Sequence, residues 1–293
     1  MNVLYFILLA LVILTAYKLM TPTQSSSMSS YHMGKKFEEG KPILWMHAEG
    51  EINARHWLNF YSRNTTELNQ PYLYLTMTSV YDKCAESFNV CLIDDDAFRM
   101  LPGWKHDVSA MASPEKQRYR QLGIAKLLHL NGGMLVPNSF LCLKDLRAFY
   151  RDQLTEKDAF AVFTGKLDSK GKEVPSSLFM GCEKGSKLME DFIKNAETKL
   201  HDNVSEFGDE VLCRNFNVHD GILTGSKTCC GKPILLQDLL GSSHVSFHRD
   251  TVGVYFPADE LLKRSAYGWF ARMSSEQLMR SDITFCKMLL SSY

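Results

Sequence analysis

The chain has 293 residues, which is enough for one large domain or two small ones. Its 33 Lys and Arg residues balance its 33 Asp and Glu residues, and 45% of all residues are hydrophobic. The balanced charge excludes a bulk nucleic-acid binder, because non-specific binding to phosphates needs a surplus of cations. Charged residues at 23% and aromatic residues at 11% exclude a disordered chain. We therefore expect a globular protein with no nucleic-acid partner.

The N-terminus is the most apolar segment of the chain. Residues 1–17 carry no charged side chain, and residues 1–20, which include Val3, Leu8 and Leu14, match the ~20 residues that a helix needs to cross a bilayer. The pattern predicts a retained transmembrane helix, with the lipid bilayer as its partner. A cleaved signal peptide is the alternative, but it requires positive charge before the apolar run and small residues at a cleavage site after it.

The charges that flank this segment predict its orientation. Nothing basic precedes the apolar run, whereas Lys18, Lys35, Lys36 and Lys41 follow it. The positive-inside rule therefore predicts a single-pass membrane protein whose C-terminal domain lies in the cytosol.

The rest of the chain divides into a linker and one domain. Residues 21–30 are polar and lack periodicity, so we expect a flexible linker over 21–41 and one domain over 42–293. In the domain, short apolar runs alternate with segments of helical periodicity, which predicts an α/β fold with a largely parallel sheet. Strands are expected at 43–46, 72–76, 88–93 and 134–136, and helices at 55–63, 80–86, 114–131 and 186–200.

The eight cysteines are too sparse for a disulfide scaffold and include no Cys-x-x-Cys pair. Cys91, Cys142 and Cys182 lie in apolar stretches, where a free cysteine behaves as a small buried residue. We therefore expect reduced thiols in the core.

Three adjacent carboxylates, Asp94, Asp95 and Asp96, follow the predicted strand at 88–93. In open α/β sheets, ligands bind outside the carboxyl ends of the strands. Adjacent carboxylates repel one another unless a cation or a helix N-terminus compensates their charge. Two interpretations remain open here, a weak metal site and a cap for the following helix.

The predicted helix at 114–131 ends in Gly132-Gly133 and is followed by a short apolar strand. This arrangement resembles the central motif of family 32 glycosyltransferases. Pro42-Ile-Leu-Trp45 is similar to the opening segment of that family, which contacts the nucleotide, and Leu92-Ile-Asp-Asp95 is similar to its Leu-Trp-Asp-Asp stretch. Over about 42–146 the resemblance implies a GT-A-like (Rossmann-like) nucleotide-sugar transferase fold, with Trp45 against the base of a nucleotide sugar.

The sequence departs from this family where the family binds its metal. After Gly-Gly the family has Ile-Tyr-Leu-Asp-x-Asp, whose carboxylates hold the metal and the donor ribose, whereas this chain has Pro137-Asn138-Ser139 in that register. The donor-binding Asp and Arg of the family align with Gln121 and Ile124.

An amide and a hydroxyl supply no charge to hold Mn²⁺ or Mg²⁺, so no metal is expected at the usual position. Asn138 and Ser139 are expected to line that former metal position. A metal cofactor belongs only to the enzyme hypothesis, with Asp94, Asp95 and Asp96 as weak candidate ligands.

The whole pattern, including 60–64, 67–71 and 93–96, also looks like membrane-anchored proteins of this kind encoded by large DNA viruses. Two functions remain open. The first is a membrane-anchored glycosyltransferase-like protein that uses a nucleotide sugar, with no catalytic residue assigned. The second is a catalytically inactive scaffold of the same fold, such as a viral minor capsid or membrane-linking protein. The scaffold implies coat or other virion proteins as partners, and a location in a virion or host membrane.

Overall fold

The computed structural model describes residues 31–34, 37–48, 70–167, 170–200, 214–263 and 265–292. The predicted transmembrane helix at 1–20 and the predicted helix at 55–63 lie outside these ranges. Among the described residues, no helix combines the length and the apolar character needed to cross a membrane.

Strands and helices alternate along much of the described chain. The strands are β1 (Ile43–His47), β2 (Asn89–Ile93), β3 (Gly133–Leu135), β4 (Phe140–Cys142), β5 (Ala159–Leu167), β6 (Glu173–Cys182), β7 (Asn217–His219) and β8 (Gly253–Tyr255). The α-helices are α1 (Pro71–Cys84), α2 (Glu115–Asn131), α3 (Arg147–Gln153), α4 (Lys187–Thr198), α5 (Leu236–Leu240), α6 (Ala258–Lys263), α7 (Gly268–Ala271), α8 (Ser275–Met279) and α9 (Thr284–Ser292). Short 3₁₀ helices cover Asp95–Met100, Val108–Ala110 and Ser265–Tyr267.

The main sheet runs in the order β2-β1-β3-β6-β5-β7, and β4 pairs with β8 in a separate antiparallel sheet. β1 is parallel to both β2 and β3, with Trp45 opposite Cys91 and Leu135. β6 is antiparallel to β3 and to β5, and β7 is parallel to β5. The carboxyl ends of β1, β2, β3, β5 and β7 therefore lie at one edge of the sheet. This parallel-rich sheet confirms the predicted α/β class, while its GT-A type stays a prediction.

Apolar side chains cover both faces of the main sheet. In β1, Leu44 and Met46 belong to the core on one face, and Ile43 and Trp45 belong to the core on the other. Buried residues of α1 contribute to the first core, and those of α2 and α4 contribute to the second. A central parallel strand has to be apolar on both sides, which accounts for the continuous apolar run of β1.

The three cysteines that were predicted to be core thiols are buried. Cys91, Cys142 and Cys182 are free, and burial raises the pKa of Cys91 to about 12. A protonated thiol packs as a small apolar group, so the prediction is confirmed for these residues.

The predicted strand at 72–76 is wrong, because these residues lie in α1, and the helix predicted at 80–86 is the end of that same helix. Pro71 takes the first helical position, where its missing N–H leaves no helical hydrogen bond unmade. Thr76 Oγ1 donates to the carbonyl of Leu73 at 3.0 Å, as hydroxyls within helices do. Aromatic and β-branched residues favour strands locally, but the burial of one helical stripe outweighs that preference.

The helix predicted at 114–131 is confirmed as α2, and Gly132-Gly133 ends it as expected. Gly133 has φ of 102°, and a Cβ atom at this position would overlap the carbonyl oxygen of Ile43. Only glycine combines this backbone conformation with so close an approach to a neighbouring strand. The Gly-Gly pair therefore sets the position of β3 beside β1.

Part of the predicted linker at 21–41 packs on the domain. His32 pairs with Cys91 in antiparallel orientation, and the N–H of Met33 donates to the carbonyl of Val90 at 2.9 Å. Asn89 Nδ2 donates to the carbonyl of Glu38 at 2.7 Å. The described residues of this segment, 31–34 and 37–41, therefore pack on the domain and cover the outer edge of β2.

Candidate functional site

The carboxyl edge of the main sheet gathers the polar residues that follow β1, β2 and β3. β1 ends at His47, β2 leads into Asp94–Asp96, and β3 leads into Asn138. Ligands of open α/β sheets bind outside this edge, where the chain turns away from the strands. We therefore treat this edge as the candidate functional site.

A buried ion pair lies at the centre of this edge. Arg120 of α2 binds both carboxylate oxygens of Asp95, with Nε–Oδ1 at 2.9 Å and Nη2–Oδ2 at 2.7 Å. His47 Nε2 lies 3.0 Å from Asp95 Oδ1 and donates to it, because a carboxylate only accepts. The Arg120 side chain is 5% exposed. Charged contacts thus tie β1, α2 and the 3₁₀ helix after β2 together.

These contacts fix Asp95 in its ionised form. Burial would raise its pKa, but hydrogen bonds from His47 and Arg120, with the charge of Arg120, outweigh this effect and hold the pKa of Asp95 well below its usual range. Asp95 is therefore anionic at neutral pH and offsets the charge of Arg120.

Close packing between the 3₁₀ helix and α2 brings Asp95 to Arg120. Phe98 is buried beneath Gly123, and a Cβ atom at position 123 would lie 2.6 Å from the Phe98 ring. The His47 ring stacks on Phe98 with 5.6 Å between the ring centroids. A larger residue at 123 would separate the two helices, so this glycine supports the geometry of the ion pair.

The other two aspartates make separate contacts. Asp94 caps the 3₁₀ helix, since its Oδ1 accepts from the N–H of Asp96 at 3.0 Å. Asp96 pairs with Arg99 at 3.2 Å between two exposed side chains. Of the two interpretations of this acidic run, the structure shows the cap.

Asn138 and Ser139 bond to the main chain. Asn138 Nδ2 donates to the carbonyl of His47 at 2.6 Å, and Ser139 Oγ donates to the carbonyl of Phe256, just after β8, also at 2.6 Å. Ser139 is thereby buried against the β4–β8 pair. Asn138 Oδ1 is buried and has no hydrogen-bond partner. A buried acceptor of this kind favours a donor from water or a ligand.

These residues do not fit a divalent metal. Within the ranges that the structure describes, no three His, Cys, Asp or Glu side chains converge where they could hold an ion. Asp95 is engaged by Arg120 and His47, while Asn138 and Ser139 carry no charge. Mg²⁺ and Mn²⁺ prefer several anionic oxygen ligands at one point, which Asn138, Ser139 and the engaged carboxylate of Asp95 do not supply.

Trp45 lies in the core and not at the carboxyl edge. Its side chain is 1% exposed, and its indole N–H donates to the carbonyl of Gly132 at 3.0 Å. The residue therefore holds the end of α2 against β1. A base would reach this ring only if core side chains moved, so stacking on Trp45 stays a prediction.

The sequence interpretation missed His47 and Arg120. Arg120 directly precedes Gln121, which the family register aligns with a donor-binding Asp. That alignment assigns no role to position 120, so it did not indicate Arg120. The signal for His47 was a polar residue at the end of an otherwise apolar strand, which is where ligands of such sheets bind.

Comparison with known proteins adds a distant similarity. No family model matches the chain, and no curated protein matches its sequence. A solved structure named PaToxG Glycosyltransferase is similar to it, with a TM-score of 0.34 and 12% sequence identity, over 68% of this chain and 75% of that chain. The similarity is too distant to assign a function, which has to rest on the residues of the carboxyl edge.

Proposed function

We propose that this chain is a membrane-anchored, glycosyltransferase-like protein that binds a nucleotide sugar at the carboxyl edge without a divalent metal. The proposal is carried by the Arg120–Asp95–His47 cluster at the ends of the parallel strands. A guanidinium can bind two phosphate oxygens at once. The unpaired Asn138 Oδ1, bonded to His47 through its own amide nitrogen, can accept from a ribose or sugar hydroxyl.

The ion pair sets the expected strength of binding. A diphosphate has to compete with Asp95 for the guanidinium of Arg120, so the wild-type chain should bind it weakly. Asp95→Asn keeps the size of the side chain and removes its charge, and we expect tighter binding in this variant. Asp96→Asn removes a neighbouring carboxylate that pairs with Arg99 instead, and serves as the matched control.

Thermal unfolding of the full chain in detergent, with UDP-sugars and GDP-sugars and with or without Mn²⁺, tests the proposal. Ligand at 100 times its Kd stabilises a protein by about 2.7 kcal/mol, which raises the Tm of a domain this size by roughly 5–10 °C. We expect a shift that Mn²⁺ does not change and that is larger at a given ligand concentration in Asp95→Asn. The absence of a shift in every combination would overturn nucleotide-sugar binding.

A catalytically inactive scaffold is the second candidate function. The observation that favours it is that Asn138 and Ser139 donate to main-chain carbonyls and Asp94 caps a helix. The polar groups of the edge thus largely bond to the protein itself. If the chain is a viral minor capsid or membrane-linking protein, it should co-purify with assembled particles and coat proteins. Its absence from purified particles would contradict that role.

A further inference from the structure

A turn between β7 and α5 presents two adjacent thiols to solvent. Cys229 and Cys230 are free and exposed, whereas the other cysteines that the structure describes are buried. The two residues take the central positions of a β-turn, because the N–H of Gly231 donates to the carbonyl of Thr228 at 2.9 Å. Gly231 has φ of 78°, which glycine adopts without strain. The proposed function makes no use of either thiol.

Main-chain hydrogen bonds fix the position of this turn. The N–H of Thr228 donates to the carbonyl of Lys232 at 2.8 Å, and the N–H of Lys232 donates to Thr228 Oγ1 at 3.2 Å. The N–H of Cys229 donates to the carbonyl of Ser246 at 3.0 Å, which ties the turn to a separate segment of the chain. A site on a backbone that is already ordered loses less entropy when it binds a ligand.

The base of the turn is held against the main sheet. Lys227 is buried, and its Nζ donates to Glu173 Oε2 of β6 at 2.7 Å. The same ammonium group lies 4.7 Å from the centre of the Phe163 ring of β5. These contacts anchor the residue that precedes the turn, so the two thiols project from a rigid support.

The distance between the two sulfur atoms suits a metal ion. Cys229 Sγ lies 3.7 Å from Cys230 Sγ. Two thiolates bound to one tetrahedral Zn²⁺, each about 2.3 Å from the ion, are about 3.8 Å apart. The sulfur atoms therefore lie at the spacing of a zinc site, and thiolates are ligands that select Zn²⁺ over Mg²⁺ and Ca²⁺.

The same residues are poorly placed for a disulfide. Cys229 and Cys230 are neighbours joined by a trans peptide bond, which sets their Cα atoms about 3.8 Å apart. The Cα atoms of disulfide-bonded cysteines are usually at least about 4.4 Å apart, and departures from this geometry make the bond easier to reduce. The dithiol form is therefore favoured, and it is the form that can bind a metal.

We propose that Cys229 and Cys230 together chelate one metal ion that prefers sulfur ligands, with Zn²⁺ as the representative of this class. The ion displaces the proton of each thiol, so two metal–sulfur bonds form and two protons leave to solvent. Water fills the other two tetrahedral positions, because no set of three His, Cys, Asp or Glu side chains converges within the described ranges. This site is separate from the carboxyl edge and does not depend on nucleotide-sugar binding.

Cobalt substitution in the full chain, kept reduced in detergent, tests the proposal. Co²⁺ bound by thiolates absorbs in the near ultraviolet through charge transfer from sulfur, whereas Co²⁺ bound only by oxygen or nitrogen lacks this band. Zn²⁺ binds such sites more tightly than Co²⁺, so it should remove the band. Cys229→Ser and Cys230→Ser each delete one ligand from an exposed turn. Cys286→Ser, in the core, is the matched control for the loss of a thiol.

We expect the band to saturate at one Co²⁺ per chain and to disappear when Zn²⁺ is added. Even partners outside the first ligand shell are worth about tenfold or more in metal affinity, so each serine variant at 229 or 230 should bind Zn²⁺ at least about tenfold more weakly. Cys286→Ser should keep the wild-type band. The absence of a band in the reduced chain would overturn the proposal. Full retention of the band in either single variant at the turn would also overturn it, because both thiols would then not be required.

Discussion

Removal of the Asp95 charge gives the sharpest test of the candidate site. In Asp95→Asn the side chain keeps its size, but the guanidinium of Arg120, 5% exposed, loses its counter-charge. Breaking a buried ion pair in this way destabilises proteins by about 3–5 kcal/mol. Because the Asp95 side chain is itself 22% exposed, we expect the lower end, about 3 kcal/mol. In a domain of this size, the Tm should fall by roughly 6–12 °C.

Urea and thermal unfolding of the full chain measure this loss in a double-mutant cycle with Arg120→Met. The double variant buries neither charge, so it should be more stable than the sum of the two single losses predicts. Asp96→Asn is the control, since its exposed pair with Arg99 should be worth less than about 1 kcal/mol. A loss below about 1 kcal/mol in Asp95→Asn, or simple additivity in the cycle, would refute the ion-pair geometry.

The same variant should change the dependence of stability on pH. The pKa of Asp95 is lower in the folded chain than in the unfolded chain. Its contribution to stability is therefore fully present above the unfolded value of about 4 and is lost as the pH falls towards the folded value. The difference in unfolding free energy between wild type and Asp95→Asn should be constant above about pH 5 and shrink in acid.

Three further sets of substitutions test other parts of the fold. Gly133→Ala places a Cβ atom on a β1 carbonyl and should lower the free energy of unfolding, measured in urea, by about 3 kcal/mol or more. Gly171→Ala is the control, because position 171 has open space around it. It should lower the free energy of unfolding only by the ~1–2 kcal/mol that a left-handed backbone conformation costs a residue with a Cβ atom. Asn138→Asp replaces a donor to the end of β1 with an acceptor, and should cost about 1–3 kcal/mol in the same assay without creating Mn²⁺ binding. Of the cysteines that the structure describes, only Cys229 and Cys230 are exposed, so serine substitutions there should slow the reaction of the folded chain with a thiol reagent.

The elements that could be predicted from sequence are those whose signals are local. α2 begins after Pro114 and ends at Gly132-Gly133, so its bounds follow from residues next to one another in the chain. In 72–76, local preference and burial pattern conflict, since aromatic and β-branched residues indicate a strand while burial continues at helical spacing through Cys84. Tertiary packing decides such conflicts.

The site was predictable only in part because its contacts are distant in sequence. The acidic run after β2 indicated the carboxyl edge of the sheet as the candidate site, since strand ends bind ligands in this class of fold. Which of the three aspartates is half-buried and paired depends on partners 25 and 48 residues away, Arg120 and His47. No spacing rule connects those positions. They meet only because β1 lies beside β2 and because Gly123 lets α2 approach the 3₁₀ helix.

The charges at the carboxyl edge explain how the absence of the family's metal motif bears on both candidate functions. A pair of free carboxylates attracts a divalent cation, which can then neutralise a diphosphate. Here the cation is the guanidinium of Arg120, and the carboxylate of Asp95 already neutralises it. Such an edge is balanced in charge without any ligand, as a scaffold requires, and under the proposed function a phosphate has to displace Asp95 to bind Arg120. The metal independence and the weak binding that we propose therefore have one cause, the ion pair.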